Sequence, residues 1–345
     1  MKSSRDVTIY DVAKALNISP STVSRGLKDH PHIHKETKKK IRAMAKEMGY
    51  QQNKFASSLR KRRTETVGVV VPKLNSYFMA TVIAGVEKIT NHHGYGLIIS
   101  QSQESVKQEI SCVSTLFNSR VDGMLISLAF DTKNLDHFNK LFDKDIPIVF
   151  FDRVADCHGC MSVIIDNYKA GYEATSHLIN QGCRRIIHLG GNLLRNVYSD
   201  RLKGYKQALH DNGIDYNQKL IFISDLTGES GKNIMKKVLK MNLHPDGLFA
   251  ANDTSAVASM VEMQLQGIRI PDDIAVVGFN NEPISQVIRP NLTTIDYPAR
   301  EMGEIAAESL IEKLNASSAV DLSRIIMKHK LIIRESSQRS GEKSV

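Results

Sequence analysis

The chain has 345 residues, of which 41% are hydrophobic and 24% charged, a balance that excludes disordered and fibrous classes and suits a soluble globular protein of two or three domains. No apolar run approaches the about eighteen residues that a membrane-spanning helix needs, and Met1–Tyr10 lacks the apolar core of a secretion signal, so a cytoplasmic protein with no membrane partner is expected. Charge is uneven: Met1–Arg63 carries 16 Lys and Arg against 5 Asp and Glu, a net of +11, and because the whole chain is +9, Thr64–Val345 is left at −2. So concentrated a positive block is the footprint of a module that neutralises nucleic-acid phosphates.

Thr8-Ile9-Tyr10-Asp11 has the spacing of a helix start closed by a capping box. Val12, Ala13 and Leu16 follow on one helical face, and Asn17-Ile18 makes a tight turn. Ser19 then caps a second helix whose first position is Pro20, where the missing N–H costs nothing. Within Pro20–Leu27, Val23 and Leu27 face inward, leaving Ser21, Thr22, Ser24, Arg25 and Lys28 outside. A third helix runs from about His34 to Met48, with Ile41, Met44, Ala45 and Met48 as its buried stripe and Gly49 just past its end. Two short helices joined by a tight turn form a helix-turn-helix, whose second helix enters the major groove. Hydroxyl side chains suit phosphate contacts and Arg bonds guanine bidentately. The plainer alternative is three amphipathic helices with a solvated basic face.

Asn53–Arg60 is too short for an isolated helix and precedes the basic run Arg60-Lys61-Arg62-Arg63. Either it is a basic linker, or Leu59 beside those charges has an apolar surface to meet. Beyond Thr64, short β-branched runs alternate with helix-length amphipathic segments. The runs of a first half are Thr66–Val71, Gly96–Ser100, Gly123–Ser127 and Pro147–Phe151. Those of a second half are Ser162–Ile165, Arg185–Leu189, Leu220–Ser224, Gly247–Ala251 and Ala275–Phe279. This pattern predicts an α/β class with parallel sheets, in two lobes because the strands are too many for one sheet. The expected organisation is a helix-turn-helix domain at 1–50, a hinge and linker at 51–64, and an effector-binding and dimerisation domain at 65–345. Its first lobe spans about 65–162 and 293–322, its second about 163–292 and 323–345.

Ligands of such sheets bind beyond the carboxyl ends of the strands. Residues there form a polar set: Tyr77-Phe78, Ser127, Asp152-Arg153, Asn252-Asp253 and Asn280-Asn281, with Arg195 and Arg201 flanking a helix start. Carboxylates, amides and arginines around aromatic rings suit a polyhydroxylated or anionic small molecule. Two of these residues have structural alternatives, Asp253 as a helix cap and Arg201 as an interlobe salt bridge. Among Cys112, Cys157, Cys160 and Cys183, only Cys157-His158-Gly159-Cys160 has suggestive spacing, and without a second pair it predicts reduced, unliganded thiols in a loop. No nucleotide-binding glycine motif, H-E-x-x-H or G-x-S-x-G occurs, so no catalytic residue, metal or cofactor is assigned.

Thr8-Ile9-Tyr10-Asp11-Val12-Ala13, Ser19 and Thr22-Val23-Ser24-Arg25 resemble the start of a LacI/GalR-family transcription regulator. The similarity continues through Gly49-Tyr50, Asn53, Ala56, Leu59 and Thr66-Val67-Gly68-Val69 to about Arg334. It implies that Pro20, Ser21 and Arg25 sit at base edges, with Pro20 making an apolar contact such as one to a thymine methyl. Thr8, Tyr10, Thr22, Ser24, Lys28 and His32 would mostly bind phosphates. Asn53, Lys54, Ala56 and Leu59 would belong to a hinge helix that orders on the operator, with Leu59 as a minor-groove wedge. Gln51-Gln52 and Ser57 depart from the usual hinge pattern. The resemblance also implies a periplasmic-binding-protein type of cleft, with Tyr77, Phe78, Asp152, Arg195, Arg201, Asn252 and Asn280 touching effector. Asn280 stands where Asp is frequent and Leu226 where several relatives carry an aromatic, both pointing away from a simple hexose or galactoside.

The function so implied is a ligand-responsive repressor of carbohydrate or related catabolic genes. It would bind a pseudo-palindromic DNA operator as a homodimer, with half-sites roughly 34 Å apart. The effector would be a sugar, sugar acid or sugar phosphate. Ending at Val345 without leucine heptads, the chain is expected to dimerise rather than form tetramers. Competing readings are a small-molecule sensor without operator function and an enzyme acting on the bound molecule. Leu59→Ala is expected to weaken operator binding on the order of tenfold while leaving random duplex binding unchanged. Fluorescence anisotropy measures both, and equal operator affinity in the variant removes the wedge.

Overall fold

The computed structural model describes residues 7–50, 63–157, 159–315 and 324–339. The chain divides into two compact units, Met1–Thr64 and Glu65–Val345.

The first unit holds α1 (Ile9–Ala15), α2 (Pro20–Leu27) and α3 (Lys35–Glu47). One carboxylate secures the start of α1: Asp11 Oδ2 accepts the Thr8 N–H at 2.8 Å and the Thr8 hydroxyl at 2.6 Å. Asn17 takes the left-handed conformation, φ 53°, that turns the chain into α2. Ser19 Oγ then accepts the Thr22 N–H at 3.1 Å, with Pro20 in the first helical position. Val12, Val23 and Ile41 are wholly buried where the three helices meet. Gly26 permits that approach, because a Cβ there would overlap Ile41 Cδ1. Asp29 ties α2 to α3, its Oδ1 lying 3.1 Å from both Lys38 Nζ and Arg42 Nη2. The Lys38 hydrogen bond and the two charges hold the Asp29 carboxyl below its usual range.

In the second unit the strands are β1 (Thr66–Val71), β2 (Gly96–Gln101), β3 (Gly123–Ile126), β4 (Ile148–Phe151), β5 (Met161–Ile165), β6 (Ile186–Gly190), β7 (Ile221–Ile223), β8 (Gly247–Ala250), β9 (Ala275–Phe279), β10 (Thr293–Asp296), β11 (Arg324–Met327) and β12 (Lys330–Ile332). They form two six-stranded sheets, ordered β11-β5-β4-β3-β1-β2 and β12-β10-β9-β8-β6-β7. Every pairing is parallel except that of β10 with β12. Helices cover both faces, so β3, β4, β6, β8 and β9 are buried along their whole length, as doubly wound sheets require. Closest are α4 (Tyr77–His92) against α10 (Ala299–Asn315) on the first sheet, and α6 (Asn167–Asn180) against α7 (Asn196–Asp211) on the second. Glycines set these spacings: a Cβ at Gly303 would fall on the Val82 carbonyl oxygen, and one at Gly204 on that of Tyr168.

The lobe boundaries differ from those expected. Met161–Ile165 pairs with β4 and β11 and so belongs to the first sheet, not the second. Thr293–Asp296 pairs with β9 in the second sheet, and the chain returns to the first only with α10. Arg324–Met327 closes the first sheet before β12 joins the second. These late strands escaped prediction because they are short: β10 is a polar Thr-Thr-Ile-Asp, and β11 and β12 are edge strands of four and three residues, half open to solvent. The thiols are a second correction. Cys157 and Cys160 are disulfide-bonded across the turn that Gly159 makes at φ 76°, with Cα atoms 5.5 Å apart, inside the range a disulfide spans. Cys112 and Cys183 are free.

His188 on β6 is fully buried between the rings of Tyr205 and Phe249, with neither ring nitrogen hydrogen-bonded among the described residues. Burial, aided by Arg201, depresses it to about 3. Above pH 6.5 both folded and unfolded chains hold this imidazole neutral. As pH falls below 6.5 only the unfolded chain takes up the proton, so stability is lost at about 1.4 kcal/mol per pH unit until the folded value is reached. Urea denaturation between pH 7 and 5 is expected to show this slope, and His188→Phe to flatten it; an unchanged slope in the variant would contradict the assignment.

Candidate functional site

The first unit presents one polar face. Along α2, Val23 and Gly26 are buried whereas Ser21, Arg25 and Lys28 are exposed and Pro20, Thr22 and Ser24 half-buried. Ser19 Oγ lies 2.7 Å from Ser21 Oγ and 2.8 Å from Thr22 Oγ1, so the hydroxyls gather at the N-terminus of α2. Tyr10 is 71% exposed, an aromatic ring with no packing reason to face water. His32 is exposed beside His30, whose Nδ1 accepts the His32 N–H at 3.3 Å. Thr8 is engaged by Asp11 as described. Asn53, Lys54, Ala56 and Leu59 lie outside the described residues.

In the second unit the carboxyl ends of both sheets border a cavity of about 370 Å³, where ligands of doubly wound sheets bind. Asp152, just after β4, stands in the left-handed region at φ 57°. Its Oδ1 accepts the Tyr297 hydroxyl at 3.0 Å, and its Oδ2 lies 3.5 Å from Ser127 Oγ and 3.9 Å from Arg153 Nε. Burial raises the Asp152 carboxyl, opposed by the charges of Arg153 and Arg201. Arg153 donates to Glu104 Oε2 at 2.7 Å and to the Tyr198 hydroxyl oxygen at 3.0 Å, with its guanidinium 4.3 Å over the Phe130 ring. Burial works against this charge, but Tyr198, Glu104 and Asp152 outweigh it and hold Arg153 above its ordinary value.

Because Tyr198 belongs to the second lobe and Glu104 and Phe130 to the first, Arg153 fastens one lobe to the other. Asn196 does the same, donating to the Asp152 carbonyl at 3.1 Å and accepting the Val154 N–H at 3.0 Å. Arg195 adds a third link by donating to the Thr132 carbonyl. Thr132 is itself anchored, through its hydroxyl, to the buried Glu109 at 2.9 Å.

Arg201, on α7, donates to Asn167 Oδ1 at 2.9 Å and to the Ala251 carbonyl at 2.8 Å, and its guanidinium lies 3.5 Å over Phe279. These partners share its lobe, so it makes no interlobe salt bridge among the described residues. Asn252, rather than Asp253, caps α9 (Asp253–Leu265): its Oδ1 accepts the Ser255 N–H at 3.0 Å and its Nδ2 donates to the Leu226 carbonyl at 2.9 Å. Asp253 is fully buried beneath it and pushed up to about 8 by that burial, against hydrogen bonds from Thr294 and the Glu282 N–H.

Seven residues of the expected polar set line it together: Tyr77, Phe78, Asp152, Arg153, Arg201, Asn252 and Asn280. Ser127, Arg195, Asp253 and Asn281 do not. Ser127 is buried behind Asp152, and Arg195 is spent on the Thr132 carbonyl. Sequence reasoning missed Lys73, Glu104, Asp225 and Glu282, which follow strands and were within reach of the strand-end rule, and Phe130 and Tyr198, which were not.

A helix-turn-helix unit and a two-lobed receptor cleft together define a DNA-binding regulator with a ligand-binding domain. Comparison with known proteins agrees. Residues 8–53 match the bacterial regulatory proteins of the lacI family, and residues 175–337 the periplasmic binding protein-like domain. The chain is 31% identical over 334 residues to the HTH-type transcriptional regulator RegA of Clostridium saccharobutylicum, covering 95% of this chain and 98% of that protein. Among solved structures it is similar to the transcriptional regulator CelR in complex with cellobiose, at 27% identity and TM-score 0.72, covering 96% of this chain and 99% of the other. It is also similar to the Lac repressor bound to ONPG in the repressed state, at 25% identity and TM-score 0.84, covering 96% and 100%. The chain belongs to the lacI family of bacterial regulatory proteins.

Arg153→Met is expected to destabilise the second unit by about 3 kcal/mol, because Glu104 is left without its cation in a mostly buried place. Adding Glu104→Gln should restore part of that loss; urea unfolding of the single and double variants gives the coupling, and strict additivity would dismiss the clamp.

Proposed function

We propose that this protein is a sequence-specific repressor of carbohydrate or related catabolic genes, binding a pseudo-palindromic operator as a homodimer and responding to a small molecule in the interlobe cleft. The observation that carries it is the division of α2 into a buried edge, Val23 and Gly26, and an open edge bearing Ser21, Arg25 and Lys28. That division presents side chains suited to base edges and phosphates along the open edge. In this reading Pro20, Ser21 and Arg25 meet base edges, and Thr8, Tyr10, Thr22, Ser24, Lys28 and His32 meet phosphates. Asn53, Lys54, Ala56 and Leu59 form the hinge contact in the minor groove.

The cleft residues proposed to touch effector are Tyr77, Phe78, Asp152, Arg201, Asn252 and Asn280. Asn252 contributes through its position, since its amide is committed to the cap of α9. The polar and aromatic lining supports a polyhydroxylated effector, as does cellobiose in the complex of the related CelR. The effector acts by binding one arrangement of the lobes better than the other, because only a difference in affinity shifts an equilibrium. The protein works beside the chromosome in the cytoplasm and turns nothing over. No helix among the described residues is long and apolar enough to cross a membrane.

Arg25→Ala should lose discrimination between operator and random duplex, costing about 1–3 kcal/mol on the operator alone, whereas Lys28→Ala should weaken both alike and lower the salt slope by about one. Anisotropy titrations at several salt concentrations separate the two. Equal losses on both duplexes for the Arg25 variant would count against base readout.

A further inference from the structure

Glu282 is a cleft carboxylate that makes no ion pair among the described residues. It follows β9, lines the cavity and is 7% exposed. Its Oε2 accepts the Thr254 hydroxyl at 3.1 Å and its Oε1 the Asn280 amide at 3.3 Å. Both partners are neutral, and no ion pair reaches this carboxylate among the described residues. A carboxylate offers about four acceptor positions, so about two remain for another donor. Asn280 is held at φ 105°, a conformation that non-glycine residues rarely adopt, and its amide nonetheless goes to Glu282.

The neighbouring Asp253 does not compete for a cation. Burial, with the Glu282 charge contributing, raises its carboxyl to about 8, and Asp253 is sealed beneath the wall without lining the cavity. Glu282, itself raised by burial, is the carboxyl of this pair that meets the cavity. Arg201, 3% exposed, stands on the wall of the same lobe and also lacks an ion pair among the described residues. Its Nε and Nη1 are taken by Asn167 and Ala251, while its Nη2 has no hydrogen bond within the described residues. Buried charges without a counter-charge are costly, and a ligand that supplies the missing partner recovers that cost on binding.

We propose that Glu282, flanked by Thr254 and Asn280, receives an ammonium group of the effector while Arg201 takes one of its oxygens, so that the effector is an amine-bearing polyol such as an amino sugar. This rests on the cleft being the effector site and assigns the chemistry of that site. A neutral sugar fills the open acceptor positions but leaves the charge uncompensated. A sugar acid or phosphate would be met by the cleft cations Lys73, Arg153 and Arg201 but would leave Glu282 without a cationic partner. Glu282 is then the residue that sets which class of polyol is admitted.

The test uses the full chain at pH 7 with glucosamine, galactosamine, glucose, galactose and gluconate, read by calorimetric titration and thermal shift. An amino sugar is expected to bind at least tenfold tighter than its neutral parent. Glu282→Gln keeps the shape and an acceptor oxygen, and is expected to abolish that preference, so that an amino sugar binds no more than twofold tighter than its neutral parent. A neutral sugar or gluconate binding as tightly as the amino sugars, or a preference that survives in Glu282→Gln, overturns the amine assignment and leaves the cleft as effector site. If none of the five binds while the operator does, both the amine assignment and the cleft as a receptor for polyols of this size fall, and the DNA-binding role stands.

Discussion

Parallel sheets end alternate connections at one edge, and here two such edges border a single cavity, which forces polar strand ends out of bulk water. Asp152, Arg153, Arg201 and Glu282 are all more than nine-tenths buried there. At such a site electrostatic interactions are stronger than at the surface and unpaired groups cost more. Arg153 meets that constraint through its two terminal nitrogens, its Nε having no hydrogen bond among the described residues, and so fastens the lobes, with Glu104 and Phe130 on one side and Tyr198 on the other. Arg201 and Glu282 meet it only in part. The same low-dielectric pocket therefore contains both the bolt that holds the lobes and the unfilled valences that invite a ligand.

The two ends of the chain use charge in opposite ways. Among the described residues of the first unit the Lys and Arg side chains stand mostly in water around a core of five buried apolar residues, where salt screens them. Their value lies in releasing counterions from a polyanion, an effect that weakens as ionic strength rises. In the cleft Asp152, Arg153, Arg201 and Glu282 are buried, where salt screens little. A regulator built this way grips its nucleic acid through screened, exchangeable contacts and reads its small molecule through unscreened, geometrically fixed ones. A ligand that disturbs Arg153 or Asp152 also disturbs Tyr198, Asn196 and Tyr297, the residues through which the lobes hold one another.

Strain and close packing are placed accordingly. Left-handed conformations at Asp152, Leu226, Asn280 and Asn281 fall at strand ends around the cavity, where the chain must turn sharply to aim side chains into it. The helix pairs behind the sheets approach through glycines, so the scaffold that carries these turns is stiff. His188, sealed without a hydrogen-bond partner among the described residues in the sheet beneath Arg201, belongs to that scaffold and makes it sensitive to acid.

Much of this was legible in the sequence because it depends on neighbours a few residues apart. Caps at Thr8 and Ser19, Pro20 at a first helical position, the period of Ile41 and Ala45, and nine β-branched runs all follow from local stereochemistry and periodicity. The edge where a ligand would sit follows from strand direction alone, and seven of the eleven residues expected there are on the cavity wall. What local pattern could not supply was partnership across long separations. The allotment of β5, β10 and β11 to their sheets, the loss of Ser127 and Arg195 to structural bonds, and the meeting of Arg153 with Tyr198 are set by which surfaces pack together. Residue order determined the helices, the strands and the kind of chemistry each end of the chain carries. Only the folded arrangement decided which charges are paired, because pairing depends on distances between segments more than forty residues apart.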